Sequence, residues 1–297
     1  MSALSLSELG CTMDPQKTLA KAIAKHNAGD LRGAQRLYQR VLKRFPNHSN
    51  ALHLMGLVLA EDGDVQSGIT HILKAVQYQP EFPEAHFNLG NLLRSIGENK
   101  LAARHLLQAL RDSPNLIDAH FNLTPILCDL GQLEEALHHG RIALEADPTD
   151  PLAHFNLGVA FGLMGRYEDA LKAYETAISI HREFPEAHDN YGCTLAELNR
   201  NDEALSQFKK AITLKPEFAQ AYYNAGNVLQ KMRRLEESET HYKKALEINP
   251  GYWDAMANLG DTLMKMGHHK RGLAHSRQGN GVIVFHSNPN TQLKIEY

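Results

Sequence analysis

Apolar residues recur along this chain at helical spacing, and the same arrangement returns every 34 residues from Pro15 onward. Each block holds two apolar-periodic stretches separated by a short polar break, which predicts a pair of amphipathic helices. In the block from Pro83, "PEAHFNLGNLLRSI" opens with a proline whose fixed φ suits a first helical turn. Gly97 ends that helix, because glycine adopts the left-handed cap conformation at little cost. "NKLAARHLLQALRD" predicts the second helix, and Ser113-Pro114 stops it.

Numbered from Pro15, the blocks align into columns. Position 8 reads Ala22, Gly56, Gly90, Thr124, Gly158, Gly192, Gly226, Gly260. Position 20 holds Ala, Gly or Ser in each of the first seven blocks, and position 27 holds Ala in all of those but the first, which has Val41. Position 32 is proline in every one of the seven except the fifth, where Arg182 stands. Small residues at positions 8, 20 and 27 let helix backbones approach, and larger apolar residues at positions 7 and 11 fill the space between.

Some blocks depart from the pattern. The first replaces apolar residues by Thr18, Lys21 and Lys25, as suits a terminal unit facing water. The fourth has Thr124 in place of glycine, Pro125 inside its first helix and Gly140 at position 24, where a large apolar residue is usual. The in-helix proline and Gly140 are two defects in one unit, which predict a kink with a freed Phe121 carbonyl and either a hinge there or a kink absorbed by packing. The eighth starts well with "MANLGDTLMKMG", but "HHKRGLAHSRQGNG" is a poor second helix, so this unit is expected to fail halfway. Residues 1–14 read as an N-terminal extension. Over 281–297, "GVIVF", the turn-rich "HSNPNT" and the alternating "QLKIEY" predict a β-hairpin or a disordered tail.

The 34-residue unit, with its small residues at these columns and proline near its end, resembles the tetratricopeptide repeat family over residues 15–280. The resemblance implies an all-α, right-handed α-solenoid of helix-turn-helix repeats, seven complete and an eighth partial. It also implies a concave groove, lined by the first helix of every repeat, that grips an extended peptide or a helix. One repeat cannot bury its own apolar face, so neighbours share a continuous core.

"AHFNL" occurs three times, at Ala85, Ala119 and Ala153, and "AHDNY" follows at Ala187. The histidines His86, His120, His154 and His188 fall at position 4, where family members place an aromatic packing residue at the seam between repeats. Stacked helices stand ~8–10 Å apart, whereas zinc needs several ligand atoms ~2 Å from one point. Packing is therefore the expected role, and no metal or other cofactor is expected. Position 6 reads Asn88, Asn122, Asn156, Asn190, Asn224, Asn258, without a gap. An amide both donates and accepts, so such a row can bond the repeating N–H and C=O groups of an extended chain. The ladder resembles that in the superhelix of the nucleocytoplasmic O-GlcNAc transferases. Beside it, position 5 offers Phe87, Phe121, Phe155 and Tyr223 as further peptide-binding candidates, or as residues tucked against the neighbouring helix. The lysine pattern by which some family members clamp a C-terminal carboxylate is missing from positions 2 to 6.

With 31 basic and 34 acidic residues the net charge is −3, too near neutral to suggest nucleic acid as the main partner. Three cysteines without a C-x-x-C spacing suggest neither a disulfide framework nor a zinc site. The first residues make a poor secretory signal, no stretch approaches the ~20 apolar residues of a membrane span, and a cytoplasmic location is expected. No phosphate loop, G-x-S-x-G or carboxylate pair stands out. The expected function is a non-enzymatic interaction scaffold that binds an extended segment of another protein, with self-association possible through an uncapped last repeat. The alternative is the substrate-recruiting arm of a protein glycosyltransferase whose catalytic domain is absent from this chain.

Overall fold

The computed structural model describes residues 14–279. Among the described residues the chain is all-helical, with sixteen α-helices and no strand. The first helices of the eight repeats are α1 (Pro15–Asn27), α3 (Ser49–Glu61), α5 (Pro83–Ser95), α7 (Ile117–Asp129), α9 (Pro151–Leu163), α11 (Pro185–Glu197), α13 (Ala219–Lys231) and α15 (Trp253–Lys265). The second helices are α2 (Leu31–Arg44), α4 (Val65–Tyr78), α6 (Asn99–Asp112), α8 (Leu133–Ala146), α10 (Tyr167–Ile180), α12 (Asn201–Leu214), α14 (Leu235–Ile248) and α16 (His269–Gly279). Apart from Asp14, the expected extension and the expected tail of 281–297 lie outside the described residues.

The turn between the paired helices has one conformational requirement. Position 15 takes positive φ in every repeat: Gly at six of them, Asn199 at φ 60° and Arg233 at φ 63°. Glycine suits this left-handed conformation because it has no Cβ to clash. In the third repeat the turn closes as expected, with the Glu98 N–H donating to the Leu93 carbonyl at 2.9 Å.

The paired helices approach most closely at position 8. A methyl on Gly158 would stand 2.6 Å from the Tyr174 ring, one on Gly192 2.7 Å from Phe208, and one on Gly90 2.7 Å from Leu106. The partner in each case is the large residue at position 24. Those residues, with the fully buried alanines Ala102, Ala109, Ala170, Ala177, Ala204 and Ala211, form the core between helices. At position 20 of the seventh repeat, buried Ser238 donates its hydroxyl to the Gly226 carbonyl at 2.9 Å, so the polar group is satisfied.

One expectation needs correction. The eighth repeat does not fail halfway: α16 forms over 11 residues and packs on α15. Glycines make this possible, since Gly260 and Gly272 let the two backbones come close enough that a Cβ on either would meet the other's carbonyl oxygen at 2.7 Å. In the fourth repeat, the departures at positions 8 and 24 are Thr124 and Gly140. Both are buried, at the positions that elsewhere hold glycine and a large side chain. Helix α7 runs through Pro125 at the 13-residue length of the other first helices, and the Thr124 hydroxyl donates to the His120 carbonyl at 2.9 Å.

The chain divides into two compact units, Met1–Ala143 and Leu144–Tyr297, the division falling within that fourth repeat. Inside each unit, first helices such as α5 and α13 pack on their own second helix, on the second helix before and on the neighbouring first helices.

The pairing of positions 8 and 24 predicts a coupling. Gly140→Leu alone should destabilise by about 1–3 kcal/mol through overpacking, and Thr124→Gly alone by about 1–2 kcal/mol through the lost side chain and helix propensity. The double variant should lose clearly less than the sum. Chemical denaturation of the four proteins checks this, and additive losses would show that the two residues do not share one space.

Candidate functional site

Successive residues of an α-helix are turned by about 100°, so position 6 lies some 200° round the first helix from position 8. Position 8 faces the second helix, and position 6 therefore looks away from it. All six asparagines, Asn88, Asn122, Asn156, Asn190, Asn224 and Asn258, are half-buried there.

Four of them bond to the preceding first helix. The Asn88 amide lies 2.9 Å from His53 Nε2, and Asn122 Nδ2 donates to Asn91 Oδ1 at 2.9 Å. Asn224 Nδ2 donates to both oxygens of Asp189, at 3.0 and 3.1 Å. Asn258 Nδ2 donates to Asn227 Oδ1 at 2.9 Å, and Asn227 also accepts the Tyr242 hydroxyl at 2.7 Å. The acceptors stand at positions 5 and 9 of the previous repeat. Sequence reading missed them, although the polar residues His53, Asn91, Asp189 and Asn227 at those positions were the available signal. The side-chain amides of Asn156 and Asn190 have no hydrogen-bond partner among the described residues.

The aromatic residues of position 5 are half-buried as well. Phe155 packs on Phe184, ring centres 5.0 Å apart, and Tyr223 on Tyr252 at 4.8 Å. Phe184 and Tyr252 are the residues just before the next first helix, so these rings close the seam between repeats. Phe87 and Phe121 hold the same position, half-buried on α5 and α7.

The histidines of position 4 are also seam residues. His86, His120 and His154 each place Nε2 3.0–3.1 Å from the carbonyl oxygen of Pro80, Pro114 and Pro148, the position-32 prolines of the preceding repeats. A carbonyl only accepts, so Nε2 carries the proton and Nδ1 is left as an acceptor. His105 Nδ1 then donates to His86 Nδ1 at 3.0 Å, and His139 Nδ1 to His120 Nδ1 at 2.7 Å. Burial first, and the facing histidine second, pushes His105 and His139 down to about 4. Among the described residues no three or more metal-ligating side chains gather, and no helix is long and apolar enough to cross a membrane.

The two described cysteines are poor nucleophiles. Burial and then the Asp129 carboxylate push the Cys128 thiol up to about 11. Burial, followed by the carboxylates of Asp189 and Glu197, pushes the Cys193 thiol far above its usual range. A protonated thiol is not reactive.

Family models described as "Tetratricopeptide repeat" match residues 19–77 and 53–117, 151–184 and 219–252, and 241–274. A further one described as "TPR repeat" matches 126–165 and 192–232. Among solved structures, a tetratricopeptide repeat protein from Parabacteroides merdae ATCC 43184 is 16% identical, with a TM-score of 0.65 over 84% of this chain and 98% of that one. A chain of the APC/C hetero-tetramer Cut9-Hcn1 is 17% identical, with a TM-score of 0.63 over 82% of this chain and 48% of that one. MamA from Desulfovibrio magneticus RS-1 is 19% identical, with a TM-score of 0.54 over 57% of this chain and 96% of that one. At these identities the likeness is one of fold. No curated protein matches the chain.

Asp189 generates a prediction. Burial, the largest influence, pushes its carboxyl up to about 6, against the Asn224 hydrogen bond that favours the charged form. Between about pH 4 and 6 the folded protein therefore holds a proton that the unfolded chain has released, and stability falls as pH rises through that window. Asp189→Asn keeps an acceptor for Asn224 and removes the charge. It should raise stability by roughly 1–3 kcal/mol at pH 7.5 and by nothing measurable near pH 3.5. Thermal unfolding at the two pH values checks this; an equal gain at both would refute the burial account.

Proposed function

Because the chain belongs to the tetratricopeptide repeat family, we propose that it is a protein-interaction scaffold whose row of first helices binds an extended segment of another protein. The observation that carries this reading is the asparagine column. Six amides stand at one helix position, half-buried, on the face turned away from the second helices.

Two roles divide among these amides. Asn88, Asn122, Asn224 and Asn258 bond an acceptor on the helix before and so brace neighbouring first helices. Asn156 and Asn190 keep both donor and acceptor capacity for a ligand. A peptide backbone repeats one N–H and one C=O per residue whatever its sequence, and an amide pair on adjacent repeats can bond both kinds of group. A half-buried amide is shielded enough for such a bond to be worth about 0.5–1.5 kcal/mol.

Asparagine substitutions separate the two roles. Asn156→Ala with Asn190→Ala should leave the melting temperature within a degree or two and weaken a peptide selected on this protein from a displayed library by about 5- to 150-fold, from two bonds. Asn224→Ala should lower the melting temperature, because it removes the bond to buried Asp189. Unchanged peptide affinity in the Asn156/Asn190 double variant would overturn the proposal.

A further inference from the structure

On the face that carries position 6, α9 differs from the other first helices. Its positions 2 and 13 are Leu152 and Leu163, 48% and 58% exposed; in every other first helix both positions are polar or charged, as with Glu186 and Glu197 of α11. Eleven residues turn a helix through about 1,100°, within ~20° of three full turns, so the two leucines share one face ~16 Å apart. Val159 stands between them on that face.

A pocket opens beside this strip. It has a volume of about 210 Å³ and is lined on one side by Val159, Gly162, Leu163 and Tyr174, and on the other by Asn190, Cys193 and Glu197. Gly162 makes the room: a methyl there would find its nearest neighbours, the Tyr174 hydroxyl and the Ala170 methyl, 3.9 and 4.0 Å away. An apolar cavity of ~150 Å³ is known to hold benzene, so an aliphatic or phenyl side chain fits. An apolar strip with two exposed leucines, ending at Leu163 in an apolar pocket, is unfavourable surface unless a partner covers it.

On α9 and α11 themselves the charge has one sign, with Arg166 over the Phe161 ring and Lys231 at the Ala196 carbonyl as neighbouring cations. Helices α9 and α11 contain no lysine or arginine, and α11 carries Glu186, Asp189 and Glu197. Glu186 is held by Lys215 at 2.9 Å. Glu197 is exposed and has no ion pair among the described residues, and Lys231 of α13 donates to the Ala196 carbonyl at 3.4 Å. The unpartnered amides of Asn156 and Asn190 belong to these same two helices, one of them in the pocket wall.

We propose that the α9–α11 pocket anchors the bound segment through one aliphatic or aromatic side chain flanked by a lysine or arginine. The apolar side chain fills the space beside Gly162, Asn156 and Asn190 bond the segment's backbone on either side, and the basic group meets Glu197. This deepens the scaffold reading above and rests on it.

The test uses three sets of fluorescent ten-residue peptides: one with a central leucine beside a lysine, one with that leucine changed to serine, and one with that lysine changed to glutamate. Fluorescence anisotropy on the full chain should rank the first set at least tenfold tighter than the others. Gly162→Leu should fill the pocket and erase the leucine preference without lowering the melting temperature. Glu197→Lys should turn the basic preference into an acidic one. Peptides that lose affinity with Asn156→Ala and Asn190→Ala but bind Gly162→Leu and Glu197→Lys as they bind the wild type would overturn the anchor and leave the scaffold reading standing. Binding of none of the sets to the wild type would overturn both. A dimer that Gly162→Leu dissociates would assign the pocket to a second copy of the chain, and tighter binding after removal of residues 280–297 would assign it to the chain's own end; either result overturns the proposal.

Discussion

The rest of this structure depends on how closely the two helices of a repeat approach at positions 8 and 24. There is room for one large side chain between them and no more: Gly158 faces Tyr174, Gly192 faces Phe208 and Gly226 faces Tyr242, each too near for an added methyl. That constraint fixes the rotation of the first helix about its axis. Once position 8 is turned inward, position 6 must look outward, position 4 meets the seam with the preceding repeat and position 5 the seam with the next. A row of equivalent surface groups follows from one packing rule that five of the eight repeats obey with a glycine against a large side chain.

The same rule explains why the face can be polar without being loose. Four amides of the row tie their first helix to the one before, through His53, Asn91, Asp189 and Asn227, and the seam behind them is closed by His86 and His120 on proline carbonyls and by Phe155 and Tyr223 on the next repeat's entry residue. Where α9 and α11 meet, the bracing stops. Asn156 and Asn190 are unbonded, Gly162 opens a pocket, and Asp189 keeps a buried carboxyl at some expense to stability at neutral pH. Concentration of such departures in one place is expected of a binding surface held on a rigid scaffold.

Much of the fold was legible in the residues because a repeat states each feature several times. The 34-residue period, the prolines that open α5, α9 and α11, and the glycines of the tight turns all mark real boundaries. What was not legible involved pairs. Thr124 and Gly140 look like two faults when each is compared with its own column, yet those columns are the two that pack on one another in the repeats around them. The second helix of the eighth repeat looks too weak on composition, yet its glycines are what let it lie against α15. Asn199 and Arg233 take the left-handed turn because the flanking helices impose it, without the glycine that would announce it. Within the candidate site, the asparagine column was visible, but its division into bracing and free amides was not. That division depends on whether an acceptor stands at position 5 or 9 one repeat earlier, a relation across 31 or 35 residues.

The account's central claim is this division of one column into two roles, and side-chain amide exchange measures it most directly. With asparagine side chains labelled by ¹⁵N and assigned by single substitution, the amide protons of Asn122, Asn224 and Asn258 should exchange with water more slowly than those of Asn156 and Asn190. On adding a peptide of the leucine–lysine kind, Asn156 and Asn190 should shift and become protected while the other three hold their positions. Equal exchange at all five residues in the free protein, or peptide-induced changes confined to the bracing three, would contradict the account.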